Sequence, residues 1–438
     1  MERRRRLIVG AALLVPAVLI TYIASGSGFD RRFDARPGGM LSADLELGSG
    51  LGFHRGSLEI ASHEDDDVRV VAEISGWGKY AVDVDVRERA DGVQVVGRVE
   101  GTLHWIFGGP TVDVRIYVPE EYGVDARIDG GPLVLEDLRG PVEARAAEGG
   151  RNTITLRRAV GVVKLAAPGG EIHVEDVEGP LKVENIDGPV WIDGVTGTTV
   201  VSAQQGGQLE IERVRGNVHA ATQYGSIRLR DIEGDVNLET EDGGIEVVEL
   251  DGRIRANTRH GEVDVRFAGA PAGVIETEGG SIEVEVPDEA AFDLDARTKS
   301  GSIELDSDLA FVRDETPDVS LGPLIERDLE AVGQLGLEIA AEVQQKVFER
   351  VQQELERSRR GTRGGGGEGE RDWEEWDWSW SWDDPDWRWH DHEWALGQHD
   401  WSAGVGYGDG GQRVAGAVNG GGESLQLHSK GGAIKIRD

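Results

Sequence analysis

The sequence contains no cysteine among its 438 residues. Disulfide bonds, cysteine-ligated zinc, thiol catalysis and a lipobox cysteine are therefore excluded. Aromatic residues make up 6% of the chain and apolar residues 38%. These amounts do not suit one large globular core. They suit a thin core of valine, isoleucine and leucine, in which each structural unit touches only its neighbours.

Basic residues are also scarce, with 46 Lys and Arg against 82 Asp and Glu and a net charge of −36. A nucleic-acid partner is excluded, because affinity for nucleic acid comes from cationic contacts with phosphate. Long-range attraction to anionic membrane surfaces is disfavoured as well. Basic proteins, cations and neutral glycans remain open as partners. No motif predicts a cofactor.

Long hydrophobic runs are absent except at the start, where residues 7–24 carry no charge and follow four arginines, residues 3–6. Eighteen residues just reach the length that spans a bilayer, and the arginines place the preceding end in the cytoplasm. We therefore predict that residues 1–28 contain a single-pass anchor in the cytoplasmic membrane. The bulk of the chain then lies in the periplasm or outside the cell. The alternative is a signal peptide cleaved near Ala24-Ser25-Gly26.

Glycine is abundant, with 64 residues, and in the middle of the chain it recurs every nine residues. Each nine-residue unit is a glycine turn followed by a strand of alternating apolar and polar residues. The residue before the next turn is apolar in one unit and polar in the following unit. The true repeat is therefore 18 residues, and a fixed internal repeat is typical of a solenoid. Glycine supplies the positive φ that tight corners need. The predicted turn glycines are Gly179, Gly188, Gly197, Gly216, Gly225, Gly234, Gly243, Gly252 and Gly261.

Alternation within the strands predicts which side chains face the core. Ile227 and Leu229 point inward, and Arg228 points outward. Two strands per repeat favour an all-β, parallel β-solenoid with two sheets and about 18 residues per coil. A three-sided coil of the same length is the near alternative. About ten coils at roughly 4.8 Å each give a rod on the order of 50 Å long.

The chain divides by composition into six segments. Residues 40–122 are an N-terminal β module of antiparallel or mixed strands, and residues 123–308 are the solenoid. Residues 318–360 carry apolar side chains at steps of three and four, which predicts an amphipathic helix. Residues 361–413 combine a flexible glycine spacer with an acidic, tryptophan-rich tract. Residues 414–438 return to the repeat as the terminal coil, and residues 1–28 are the membrane segment.

Stacked coils place equivalent side chains in columns. Glu246, Asp264, Glu283 and Glu304 form a predicted acidic column with a spacing of roughly 4.8 Å. Like charges paired directly destabilise a sheet, so a divalent cation could bind there. The alternative is a set of solvated acids offset by neighbouring basic residues. The opposite sheet is expected to carry a more basic column, listed as Lys164, Lys182, His219, Asn237 and Arg255.

The tract at residues 372–401 holds nine of the twelve tryptophans. In a strand, alternate tryptophans share one face, which could stack on sugars, lie at a bilayer interface or cover the open end of the solenoid. A disordered acidic tail is the remaining alternative. The candidate partner-binding residues are Trp376, Trp378, Trp380, Trp382, Trp387 and Trp389.

Two further clusters are weak metal candidates. His390 and His392 offer only two ligands in a flexible tract. The acids at residues 64–67 are interpreted as a solvated turn, because they lack the glycine and spacing of a calcium-binding hand.

The strand TVDVRIYVP (residues 111–119), followed by units such as Thr298-Lys299-Ser300-Gly301-Ser302-Ile303, resembles a family of bacterial envelope proteins. That family is described as candidate adhesins or as β-strand-repeat domains of unknown function. The resemblance covers roughly residues 41–308 and the final coil. It implies a β-solenoid outside the cytoplasmic membrane, often connected with envelope-stress responses. It supplies no catalytic residues.

Together these features favour a non-enzymatic, membrane-tethered scaffold or adhesion module that presents side-chain columns to an envelope protein or glycan, with weak contacts adding by multivalency. The alternatives are a sensor of envelope damage, end-to-end polymerisation, and a β-helix enzyme acting on acidic polysaccharides. The enzyme is disfavoured because no cleft-forming loop interrupts the middle coils and the basic residues are dispersed.

Overall fold

The computed structural model describes residues 27–36, 38–47, 55–76, 82–99, 110–147, 152–205, 207–306, 309–313 and 411–437. The chain divides into two compact units, Met1–Val312 with Gln412–Asp438, and Arg313–Gly411. The architecture described below is that of the first unit. The predicted membrane segment, the predicted helix at 318–360 and the tryptophan-rich tract lie outside the described residues. No helix in the described part is long and apolar enough to span a membrane.

Every regular element of the described residues is a β-strand, and the strands form two sheets. Sheet 1 has 15 strands in the order β1-β4-β7-β3-β9-β11-β13-β15-β17-β19-β21-β23-β25-β31-β27, and sheet 2 has 16 in the order β28-β29-β26-β30-β24-β22-β20-β18-β16-β14-β12-β10-β8-β2-β6-β5. The strands are β1 Ser27–Asp34, β2 Met40–Glu46, β3 Arg55–His63, β4 Asp67–Gly76, β5 Val82–Glu88, β6 Gly92–Val99, β7 Pro110–Pro119, β8 Gly123–Asp129, β9 Leu133–Arg139, β10 Val142–Ala146, β11 Thr153–Val160, β12 Val163–Ala166, β13 Glu171–Glu178, β14 Leu181–Asn185, β15 Val190–Thr196, β16 Thr199–Ala203, β17 Leu209–Arg215, β18 Val218–Thr222, β19 Ile227–Glu233, β20 Val236–Thr240, β21 Ile245–Asp251, β22 Ile254–Thr258, β23 Val263–Phe267, β24 Gly273–Thr277, β25 Ile282–Glu285, β26 Phe292–Thr298, β27 Ile303–Leu305, β28 Phe311–Arg313, β29 Gln412–Val418, β30 Glu423–Ser429 and β31 Ile434–Arg437.

Successive coils stack in parallel, which confirms the two-sheet solenoid predicted from the repeat. Each coil contributes one strand to each sheet, and equivalent residues pair across coils, as Ile227 pairs with Leu209 and with Ile245. The predicted core residues Ile227 and Leu229 are fully buried. Arg228 pairs with Glu210 and Glu246 on the outer face. The core is a continuous stack of small and branched apolar side chains between the two sheets.

The first corner, which leads from sheet 1 to sheet 2, depends on backbone conformation. Gly234 has φ 147°, and the equivalent Gly179, Gly197, Gly216 and Gly252 are also positive. Side chains rarely adopt this conformation. A Cβ on Gly234 would also lie 2.4 Å from the carbonyl oxygen of Gly216. These predicted turn glycines therefore act as the sequence analysis expected.

The second corner, which leads from sheet 2 back to sheet 1, depends on a buried hydroxyl instead. Thr258 Oγ1 donates to the Gly243 carbonyl at 3.0 Å and accepts from the Gly261 amide at 3.1 Å. The same pair of bonds recurs along the stack at Thr240, Thr277, Thr298 and Ser429. We call this set the hydroxyl column. Because these hydroxyls satisfy corner amides and carbonyls, they are stable in the interior.

The glycines of the second corner correct one prediction. Gly188 has φ 140°, but Gly225, Gly243 and Gly261 do not lie in the positive-φ region. A Cβ on Gly243 would lie 1.8 Å from the carbonyl oxygen of Gly225. These glycines are needed because neighbouring backbones approach closely, and not because of φ.

Both ends of the stack depart from chain order. The N-terminal strands continue the same two sheets: β2 lies between β6 and β8, and β3 lies between β7 and β9, all in parallel. Antiparallel strands β4 and β5 then follow outside them. At the other end, β30 and β31 pair on both sides, with β24 and β26 and with β25 and β27. The returning coil is therefore an inner rung, although the sequence suggested that it comes last.

Candidate functional site

Strands of sheet 1 present more residues on the outer face than strands of sheet 2, because they contain an additional residue in the left-handed conformation. In strand β17, side chains alternate between the core and the outer face as far as Glu212, which points outward. The next residue, Arg213, has φ 53° and also points outward. Val214 therefore points into the core. The same left-handed residue recurs in seven successive strands of sheet 1, β9 to β21, and acts like a β-bulge that neighbouring strands share in register. We call the repeated residues the bulge row: Asp137, Arg158, Asp176, Gly194, Arg213, Asp231 and Glu249.

A groove of about 780 Å³ runs along this part of sheet 1. One wall is the bulge row, and the other is formed by the last residues of the strands, such as Val160, Glu178 and Thr196. The sheet backbone forms its floor, because neighbouring side chains such as Val177 and Val214 are buried on the core side. The groove crosses strands β3 to β19, which corresponds to about 29 Å at one rung per 4.8 Å. It is an open, elongated surface.

The four arginines that line the groove are all paired with carboxylates. Arg158 binds Asp137 through two bonds, with Nε to Oδ1 at 2.5 Å and Nη2 to Oδ2 at 2.9 Å. This guanidinium holds the pKa of Asp137 below its usual value. Arg213 binds Asp193 in the same bidentate way. The remaining pairs are Arg139 with Glu120 at 3.6 Å and Arg215 with Glu233 at 3.5 Å.

Several carboxylates of the groove have no such partner. Within the described residues, no basic side chain forms an ion pair with Asp176, Glu178 or Asp231, and all three are exposed. Since the arginines are neutralised by other acids, the surplus charge of the groove is negative. An exposed apolar side chain, Val160 at 43% exposure, lies in the same wall.

Strand β15 is where the repeat of the outer face breaks. Trp191 occupies an outward position, and its ring stacks on the His173 ring of the previous rung, with centroids 4.3 Å apart and planes 16° apart. On the same strand, Gly194 is the one member of the bulge row without a side chain. The bulge row therefore places a side chain in the wall of the groove at every coil from β9 to β19 except at β15.

The predicted acidic column forms only in part. Glu246 pairs with Asp264, and Asp264 pairs with Glu283. Lys435 of the returning coil then lies between Glu283 and Glu304, so the prediction of four consecutive acids is wrong. The reason is the insertion of β31 as an inner rung.

Basic side chains accompany the acids of this column. Glu246 accepts from Arg228 at 2.7 Å, and Glu283 lies 2.8 Å from Arg437. Burial raises the pKa of Asp264, and the neighbouring Glu283 raises it further. Among the described residues, these carboxylates do not converge on a common point as metal ligands do. The column is compensated by its neighbours.

The predicted column on sheet 2 is also interrupted. Lys164 pairs with Lys182, but Val200 lies between Lys182 and His219. Asn237 and Arg255 follow in register. Burial lowers the pKa of His219. The column is mixed and does not form a basic strip.

The acids at residues 64–67, which the sequence analysis interpreted as a solvated turn, lie beside His63. The ligand atoms of His63, Asp65 and Asp67 lie within 4.8 Å of one another. The His63 ring nitrogen Nε2 lies 2.6 Å from the Asp67 carbonyl oxygen. Arg32 Nη1 lies 3.1 Å from Asp67 Oδ2 and 3.6 Å from Asp65 Oδ2. A guanidinium already compensates these acids, and it comes from a strand far away in sequence. No local spacing could have indicated this contact.

The other predicted sites lie outside the described residues. These are the partner-binding tryptophans Trp376, Trp378, Trp380, Trp382, Trp387 and Trp389, and the histidines His390 and His392.

Comparison with known proteins gives one family and two solved structures. Residues 52–320, about 61% of the chain, match the family described as Toastrack DUF4097. A candidate adhesin from Bacteroides fragilis NCTC 9343 is 10% identical, with a TM-score of 0.33, over 52% of this chain and 99% of that one. A candidate cell adhesion protein from Clostridium sporogenes ATCC 15579 is 8% identical, with a TM-score of 0.15, over 94% and 99% of the two chains. At these TM-scores, the two structures carry no argument about function. No curated protein matches the chain.

Proposed function

The chain belongs to the Toastrack DUF4097 family, and from this premise we propose that it is a non-enzymatic, extracytoplasmic binding module. In this proposal, it binds a partner along the outer face of sheet 1. The partner is an envelope or surface macromolecule, so the module acts as a scaffold or in adhesion.

The observation that carries this proposal is the groove along the bulge row. Parallel stacking fixes its side chains at rung spacing, with Val160 exposed and the arginines held by bidentate pairs such as Arg158 with Asp137. Such a surface is ordered before a partner arrives, which reduces the entropy cost of binding. Its length favours several weak contacts over one deep pocket.

The tether is proposed from the sequence. Residues 3–6 are arginines and residues 7–24 are uncharged, which is the pattern of a segment that stays in the membrane with its basic end inside. In intact spheroplasts, a protease added outside is expected to degrade the body of the chain. Full protection would contradict the proposed location.

The binding role is tested by crosslinking in whole cells. Val160 in the groove and Tyr224 at the second corner are exposed by 43% and 55%. Each is replaced, in separate variants, by the photoreactive benzoylphenylalanine. We expect a discrete adduct from position 160 and no such adduct from position 224. Equal adducts from both positions, or none from position 160, would contradict a partner-binding groove.

A further inference from the structure

The backbone conformation of strand β15 does not require that position 194 lack a side chain. Gly194 has φ 75°, while Asp176 and Arg213 in the neighbouring coils adopt φ 55° and 53° with full side chains. Asp and Asn adopt this left-handed conformation readily. A Cβ on Gly194 would lie 2.7 Å from Asp176 Oδ1, the end of a side chain that can move, and at ordinary contact distances of 3.5 and 3.6 Å from the Asp176 backbone. A side chain therefore fits at position 194 once the Asp176 carboxylate shifts, and its absence leaves a notch in the wall of the groove.

The rim of this notch has a defined chemistry. The Asp176 carboxylate lies over it, as the short distance to the Gly194 Cβ position shows. Arg213 on the next rung directs its hydrogen bonds to Asp193, so it attracts Asp176 only at longer range. Thr196 adds a hydroxyl on the same strand. A carboxylate beside a gap in a row of side chains suits a cationic head group on a slender aliphatic stem.

We propose that the notch at Gly194 receives a lysine side chain from an extended segment of a partner protein that lies along the groove. This inference rests on the proposed binding role and names the chemistry of the partner. The lysine stem lies in the notch, and its ammonium group meets the Asp176 carboxylate. At about 3.3 Å per residue, a groove of about 29 Å holds about nine extended residues. Asp231 and Glu178 supply further unpaired carboxylates along the same path.

The probe is a fluorescent nine-residue peptide that alternates alanine with lysine, and the control is the same peptide with glutamate in place of lysine. Both are titrated with the full chain by fluorescence anisotropy. We expect the lysine peptide to bind and the glutamate peptide not to bind. Asp176→Asn removes the carboxylate, and Gly194→Asn fills the notch with a residue that adopts the left-handed conformation more readily than most. Each is expected to weaken binding at least tenfold.

The matched control is Asp264→Asn, which removes one exposed carboxylate from the same sheet outside the groove. It is expected to change affinity less than twofold. Equal weakening by Asp176→Asn and Asp264→Asn would overturn the inference, because attraction would then depend only on net charge. Unchanged affinity with Gly194→Asn in a chain that melts like the parent would overturn it as well. If Gly194→Asn melts early, Asp176→Asn decides the question.

The outcome is separable from that of the proposed function. A position-160 adduct in cells together with no groove-dependent peptide binding overturns the lysine inference alone. Failure of both experiments overturns the binding groove itself.

Discussion

The hydroxyl column and the acidic column are both rows of like groups at rung spacing, yet they behave in opposite ways. Thr258 is fully buried, and its hydroxyl joins the corner of its own coil to the corner of the preceding coil. Asp264 is exposed and lies between two acids in its column. A hydroxyl both donates and accepts, so its repetition is mutually satisfying. A carboxylate only accepts, so its repetition is repulsive.

This difference separates the parts of the repeat that hold the register from the parts that are free to vary. A change in the hydroxyl column leaves buried backbone groups unsatisfied, which is costly. The outer columns tolerate Trp191, Glu210 and Arg228 in succession. Function is therefore expected on the outer columns, with the corners as support.

The largest effect is expected at the corner that the hydroxyls close. Gly243→Ala places a Cβ 1.8 Å from the backbone oxygen of Gly225, which cannot move without separating two coils. We expect a loss of at least about 4 kcal/mol, in the range of the most damaging single substitutions, measured by urea unfolding of the full chain. A loss below about 1 kcal/mol would show that the corner adapts easily.

The second test removes one hydroxyl and keeps the shape. Thr258→Val leaves the Gly243 carbonyl and the Gly261 amide without their buried partner, so we expect a loss of about 1–3 kcal/mol. Thr258→Ser keeps the hydroxyl and is expected to lose clearly less. Equal losses for valine and serine would mean that the methyl group, and not the hydroxyl, holds the corner.

The third test concerns repulsion in the acidic column. The pKa of Asp264 is raised above 3.8 by burial and then by Glu283. A raised folded-state pKa favours the protonated form, so ionisation of this group lowers stability as the pH rises through the folded pKa. Asp264→Asn is therefore expected to raise Tm at pH 7, and the gain should disappear below pH 3.8.

The control for that test is Glu246→Gln, which removes a carboxylate that is bonded to Arg228. It is expected to give no gain at pH 7. A similar gain from both substitutions would mean that general charge reduction, and not the local column, is responsible.

The smallest effect is expected in the groove. Arg158 and Asp137 are more than half exposed, so their bidentate pair is screened by solvent. Arg158→Met is expected to leave the midpoint of urea unfolding nearly unchanged, with any difference shrinking in high salt. A clear fall in that midpoint would make the bulge row a structural element and would weaken its assignment to binding.

Sequence patterns predicted the parts of the fold that repeat. Alternation placed Ile227 and Leu229 inside and Arg228 outside, and the structure confirms this. The hydroxyl column was visible only as polar strand ends, although Thr-x-x-Gly recurs at 240–243 and 258–261. The bulge row also left a trace, because two consecutive polar residues precede the last buried apolar residue in strands β9, β11, β13, β17 and β19.

Other features had no local signal. The position of Lys435 between Glu283 and Glu304 depends on a strand that returns from more than 100 residues away. The contact of Arg32 with Asp67 joins strands β1 and β4 across a turn-rich stretch. Such placements follow from the order in which strands enter a sheet, and the repeat alone does not encode that order.

The inner position of β30 and β31 has a consequence for biosynthesis. These strands leave the ribosome after β26 and β27, yet they separate them from β24 and β25. Until they arrive, β26 and β27 lack the parallel strands that join them to the rest of the stack, and Gly280 lacks the Ser429 hydroxyl that its carbonyl accepts. The native order of the last rungs is therefore completed only after translation has passed Glu423.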